Sequence, residues 1–293
     1  NYYEVILIKK VIEVILVSLL VLFSFYYTEK AIVLIESNDP IMKEIKDKGS
    51  EKEIDAINAS IDGDYLIPGY NGLMIDLDES FTKMKGYGSY NEALLVFEEV
   101  EPSISIDDYY DKYISSGNGI STNIALVFPV DVNSYTDNVL NILKDMGVVG
   151  TFFIDGKFTD NNTSFVTDAI INSNEVEVLS YDKSYDELLF KASIDKIKTL
   201  TSTTPKYCYA TYDNEEVLNL CSKLSMHTII PTLRLDNNIY SSAKGNLRSG
   251  SIISVNLTES NVKELKVLIN YIKQRGFTLV TLDTLLNEGR SEK

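Results

Sequence analysis

From residue 121 onward the chain alternates short apolar runs with helix-like segments, and this alternation constrains the fold more than any other feature. It opens with "NIALVFPVD" (Asn123–Asp131), where Ile124 to Phe128 form the continuous apolar run of a strand buried on both faces. "SYTDNVLNILKDMG" follows, with Ser134 placed as N-cap, Val139, Leu140, Leu143 and Met146 on one helical face, and Gly147 as the stop. "VVGTFFID", "EVEVLSY", "KYCYATY", "HTIIPTL", "GSIISVNL" and "TLVTL" read as further strands, separated by helices such as "NEEVLNLCSKL" and "NVKELKVLINYIKQRG". Strands alternating with helices imply a parallel sheet. About seven such units predict an α/β fold, a distorted (β/α) barrel over 121–289.

The segment before the barrel has a different texture. Lys9 and Lys10 precede Val11 to Tyr27, a run broken only by Glu13, Ser18 and Ser24. Its length is at the lower limit for a spanning helix, the lysines belong on the cytoplasmic side, and Tyr26 and Tyr27 fall in the interfacial belt. No small-residue cleavage site follows, so the expectation is an uncleaved signal anchor. That makes 1–10 a cytoplasmic tail, 11–27 the span, and the rest extracytoplasmic. Residues 28–60 are charged and helix-prone with a break at Gly49 and Ser50, and are read as a stalk. Residues 61–120, with a turn at Pro68-Gly69 and the strand-like "ALLVFEEV", are read as a small α+β lead-in module packed on the barrel.

Composition excludes several partners. A net charge of −16 and a pI near 4.5 argue against nucleic acid, whose phosphates need clustered Lys and Arg. His227 is the single histidine, which removes a His-based metal centre, and no cofactor is expected. Cys208 and Cys221 have no CxxC spacing, and two free buried thiols are expected rather than a bridge.

"VLNILKDMGVVGTFFIDG" resembles the helix, glycine turn and Thr-Phe-Phe strand of the polysaccharide deacetylase family, the NodB-type carbohydrate esterases. "GSIISVNL" and "GFTLVTLDTLL" resemble that family's last strands. The resemblance implies a barrel built for metal-dependent deacetylation, but the residues that carry the chemistry are replaced. Thr-Phe-Asp-Asp-Gly falls on Val127 to Asp131, so Pro129 stands for the base and Val130 for the metal-binding Asp. The His-Ser/Thr-x-x-His motif falls on Leu179 to Lys183, and both metal histidines are lost. Arg-x-Pro-Tyr-Gly falls on Tyr209 to Asp213, with Tyr209 for the arginine. Leu-His falls on Val255 and Asn256, which removes the general acid. A deacetylase needs the metal, the base and the acid together. The expectation is therefore a catalytically inactive deacetylase-like protein, with no catalytic residue and no metal.

Acids and tyrosines still follow the strands. Asp131, Asp155, Asp182, Asp213 and Asp236, with Tyr181, Tyr209 and Tyr212, are candidates for binding cell-wall polysaccharide or peptidoglycan, since sugar rings stack on aromatic faces. Asp after a strand is also an ordinary turn and N-cap residue, and Tyr fills ordinary half-buried sites. Two other readings stand beside the inert binder: a hydrolase working through a carboxylate pair such as Asp131 with Asp182 or Asp213, and a purely structural scaffold.

Overall fold

The computed structural model describes residues 2–290; Asn1 of the expected tail and the side chains of residues 2–9, 29, 32 and 33, Lys9 among them, lie outside the description. The strands are β1 (Ser60–Asp62), β2 (Tyr65–Ile67), β3 (Gly72–Ile75), β4 (Phe97–Val100), β5 (Tyr113–Ile114) and β6 (Asn123–Val130). They continue with β7 (Thr151–Ile154), β8 (Glu175–Val178), β9 (Tyr207–Tyr209), β10 (His227–Ile229), β11 (Leu233–Leu235), β12 (Ile252–Val255) and β13 (Thr278–Val280). The helices are α1 (Tyr2–Asn38), α2 (Pro40–Gly49), α3 (Leu77–Tyr87), α4 (Val139–Asp145), α5 (Gly156–Asn161) and α6 (Thr163–Ile171). After them come α7 (Glu187–Thr201), α8 (Glu215–Lys223), α9 (Ile239–Ala243), α10 (Glu259–Gln274) and α11 (Leu282–Leu286).

The chain divides into two compact units. The smaller comprises 1–55 and 72–100, and the larger 56–71 and 101–293. In the smaller unit, Asp39 caps α2 by accepting from the Ile41 N–H, and Pro40 occupies the first turn, where no N–H is needed. Met42 and Ile45 on α2 are buried against Ile75, Phe81 and Met84. β3 and β4 pair antiparallel beside α3. The expected division is thus redrawn: residues 40–55 of the "stalk" fold with 72–100, and segment 61–120 supplies strands to both units. Within α1, Lys10–Thr28 is long and apolar enough to cross a membrane, and Val14, Leu20 and Phe25 stand exposed on it.

In the larger unit one curled sheet runs β1-β2-β5-β10-β9-β8-β7-β6-β12-β11, with β13 also paired to β6. Apart from the β1–β2 hairpin its ladders are parallel. This is the α/β barrel-like fold expected, with eight strands rather than about seven over 121–289. The extra one comes from "HTIIPTL": Pro231 cannot donate to a ladder, and the run splits into β10 and β11. β6 sorts its side chains by period two. Ile124, Leu126, Phe128 and Val130 join the core on the helix side, and Ala125 and Val127 the core inside the sheet. Ser134 caps no helix. It closes a turn on Asp131, and α4 begins after Asn138 in the left-handed conformation.

Two side-chain devices hold the strand framework. Cys208 on β9 and Cys221 on α8 form a disulfide, correcting the expectation of free thiols. The strand and the helix that packs back on it bring both sulfurs into one buried layer, a proximity that sequence spacing does not reveal. β8 and β9 pair at only one register position, Val178↔Cys208. Below it, the Glu177 carboxylate accepts from the Lys206 and Tyr207 N–H groups at 2.8 Å each and serves in place of the missing ladder. Burial, with Glu175 nearby, pushes the Glu177 carboxyl well above its usual range.

A carboxyl with a raised folded pKa binds more protons in the folded than in the unfolded state, so its stability contribution is complete below 4.5 and declines as pH rises toward the folded value. Glu177→Gln keeps an acceptor and removes the titration. Urea melts from about pH 5 to about pH 8 should show the variant gaining on the wild type as pH rises, whereas Glu177→Ala, which strands two N–H groups, should lie ~2–4 kcal/mol below the Gln variant throughout. A Gln variant tracking the wild type at every pH would refute the assignment.

Candidate functional site

The C-terminal ends of the parallel strands, where such folds place their sites, carry a cleft of about 260 Å³. Five of the six degenerate positions line it: Pro129, Leu179, Lys183, Tyr209 and Asn256. Pro129 is the next inward-facing residue of β6 after Ala125 and Val127, which brings it to the mouth. Its missing N–H is tolerated there because the β12 ladder on β6 ends at Val127↔Ser254, leaving β7 as the neighbour. Val130 turns the other way, fully buried in the helix-side core, and takes no part in the cleft.

The candidate ligand-binding residues separate into three groups. Asp131, Tyr209 and Asp236 line the cleft. Tyr212 and Asp213 line an adjoining hollow of about 480 Å³, which shares Thr211 and Arg234 with the cleft. Asp155, Tyr181 and Asp182 line neither. Asp155 is 1% exposed: it caps α5 through the Lys157 N–H and accepts from Ser180 Oγ at 2.6 Å, so the turn-and-cap reading holds for it. Tyr181 donates to Asp160, and Asp182 pairs with Lys157 at 2.8 Å.

Inside the cleft the charges satisfy one another. Lys183 Nζ lies 3.5 Å from Asp131, and Arg234 forks onto both oxygens of Asp236 at 3.2 and 2.9 Å. The Arg234 guanidinium also covers the Tyr212 ring at 4.4 Å, and that ring remains 67% exposed. Tyr209 is a floor rather than a platform: its ring packs on Phe153 and its hydroxyl hydrogen-bonds Ser254 Oγ at 2.8 Å. Burial raises the phenols of Tyr209 and Tyr185, so both stay protonated at neutral pH. Sequence reasoning missed Arg234 and Tyr185. The two-residue spacing of Arg234 and Asp236 on a strand was the signal available for the first.

A divalent metal does not fit this site. Of the residues standing where a metal would be held, Val130 faces away, Leu179 has no donor atom, and the Lys183 ammonium occupies the approach to Asp131. Among the described residues no group of three or more His, Cys, Asp or Glu is placed to bind one. Of the acids weighed as a catalytic pair, Asp131 lines the cleft, Asp213 lines the adjoining hollow, and Asp182 lines neither. Asp213 is held by the Tyr65 hydroxyl.

No family model matches the chain. It is 26% identical over 279 residues to the uncharacterized protein YlxY of Bacillus subtilis (strain 168), covering 88% of this chain and 87% of that one. Among solved structures it is similar to BA3943 of Bacillus anthracis, a CE4 family pseudoenzyme, with a TM-score of 0.65 and 24% identity over 87% of this chain and 97% of that one. A mutant of BA3943 is described as having restored enzymatic activity. The Bc1960 peptidoglycan N-acetylglucosamine deacetylase superposes with a TM-score of 0.54 and 19% identity, over 63% of this chain and 97% of that one. The resemblance read from the sequence is therefore borne out in the fold: the chain folds as the CE4 carbohydrate esterases do.

The burial of Tyr209 sets an expectation for stability. Tyr209→Phe should cost ~1 kcal/mol through the lost Ser254 bond, and Tyr209→Ala ~3–5 kcal/mol as a core cavity. Thermal melts check both; an Ala variant as stable as the wild type would show that the ring is not part of the core.

Proposed function

We propose that this chain is a degenerate CE4 carbohydrate esterase without deacetylase activity, kept as a glycan-binding protein. One observation carries the reading: the Lys183–Asp131 ion pair stands in a cleft lined by Pro129 and Leu179, with Val130 turned away into the core, next to a hollow with an exposed tyrosine. Hydrolysis would need an activated water, and none of these side chains activates one. Binding needs less. A ring with its face available and paired charges offering donors and acceptors suit a hydroxyl-rich ligand. The deacetylase activity of Bc1960 on peptidoglycan supports N-acetylglucosamine polymers of the cell wall as the ligand class.

Two features support a location outside the cytoplasm. α1 carries a segment that can span a bilayer, flanked by Lys9 and Lys10. The Cys208–Cys221 disulfide belongs in an oxidising compartment. Both support an N-terminus inside and a body outside, anchored to the membrane.

The purified protein should release no acetate from N-acetylglucosamine oligomers in metal-replete buffer, yet bind them, and Tyr212→Ala should weaken binding several-fold without lowering the melting temperature. Loss of one stacked ring is worth about 1 kcal/mol, or roughly five-fold in affinity. Chelator-sensitive acetate release would overturn the inert reading, and unchanged affinity in the variant would remove the hollow as the binding surface.

For the topology, protease added to intact cells should digest the larger unit while leaving cytoplasmic markers whole. A body protected until the membrane is breached would contradict the assigned orientation.

A further inference from the structure

A second cavity lies at the other end of the strands. It holds about 680 Å³ and is reached past Lys206, Tyr207 and His227, the residues at which β9 and β10 begin. α11 forms part of its wall: the Leu282 N–H bonds Thr151 Oγ1 and the Asp283 N–H bonds Glu175, pinning the helix across the entrance of β7 and β8. The volume is ample for a sugar-sized ligand.

The wall is acidic and rich in acceptors. Glu101, Asp107, Asp108, Asp283 and Glu288 face one lysine, Lys206, whose ammonium is already held by Asp283 at 2.7 Å. Independently of these acids, the wall contains a buried ring with an unmet bond. His227 is 4% exposed, stacked under Tyr110 at 4.5 Å, with Nε2 3.1 Å from Asp107 Oδ1. Its Nδ1 is buried without a hydrogen-bond partner. Burial lowers the His227 pKa, so the ring is neutral at pH 7 and adds no positive charge. With Nε2–H donating to Asp107, the Nδ1 lone pair is left unpaired within the wall. The phenol of Tyr110 is raised by burial and then by the fields of Asp107 and Asp108, which marks a negative potential at the rings.

We propose that this cavity is a second binding site, for a sugar carrying a free primary ammonium. Carboxylates and aromatic faces favour a positively charged N–H donor, and the unpaired Nδ1 adds to the negative field of the wall. Asn71, Asn287, Ser105 and Ser225 supply the polar lining that sugar hydroxyls need. The cleft at the opposite end, with Lys183 and Arg234, is not suited to an ammonium. The proposal stands whether or not that cleft binds glycan.

Calorimetry on the full chain with a glucosamine trimer, its N-acetylated counterpart and spermidine tests this. The free-amine trimer should bind at least ten-fold more tightly than the acetylated one. Asp107→Asn keeps the acceptor for His227 and removes the charge, and should weaken the trimer at least five-fold with an unchanged melting temperature. Tyr110→Ala should weaken it likewise, and both trimers are compared in the Tyr212→Ala background, so that binding at the hollow does not enter. Equal binding of both trimers, or full affinity in Asp107→Asn, overturns the site. Spermidine matching the trimer overturns the assignment to a sugar.

Discussion

Strand β6 is the member on which the larger unit depends. It pairs with β13 over its first residues, β12 over its middle and β7 over its end, so three ladders share one backbone. Its inward and outward side chains divide the two hydrophobic cores. Such a strand cannot shift register without exchanging the two faces, and this fixes where its last residue on the inner side must lie. The position at the mouth is thus inherited from the scaffold. What it carries, proline instead of an acid, is a separate matter that the packing does not dictate.

The exchange at the mouth also changes the electrostatics of the cleft. A metal site concentrates a double positive charge among carboxylates. Here a lysine and an aspartate that are both foreign to the family motifs lie beside each other, and an arginine and an aspartate do the same across the opening. The pairs are partly exposed and contribute little to stability. They set fixed donors and acceptors at the mouth of the cleft.

The parallel sheet was legible because its strands are local and bounded by helices with clear apolar faces. What escaped depends on contacts between distant segments. Met42 and Phe81 pack together across an intervening excursion into the larger unit, so neither stalk nor module could be recognised as half of one core. The split at Pro231 was readable from its missing N–H. The disulfide was not, because it requires knowing which face of α8 meets β9. Among the site residues, Tyr209 and Tyr212 looked equivalent in the sequence. One belongs to a strand and lies in the core; the other stands on the loop beyond and is exposed. The cavity around His227 draws on several separate segments and had no local signature at all.

The interleaving of the two units has consequences for how the gene can change. The chain passes between them three times, after residues 55, 71 and 100. A single recombination junction therefore cannot exchange the N-terminal helix together with its unit while leaving the rest of the body intact. A proteolytic nick after Asp55 would likewise not free the larger unit, because 72–100 would leave with it, stripped of the α2 face that buries Phe81 and Met84. Truncations and fusions of this protein must respect two discontinuous pieces, and a boundary drawn anywhere between Met42 and Leu286 cuts through a core.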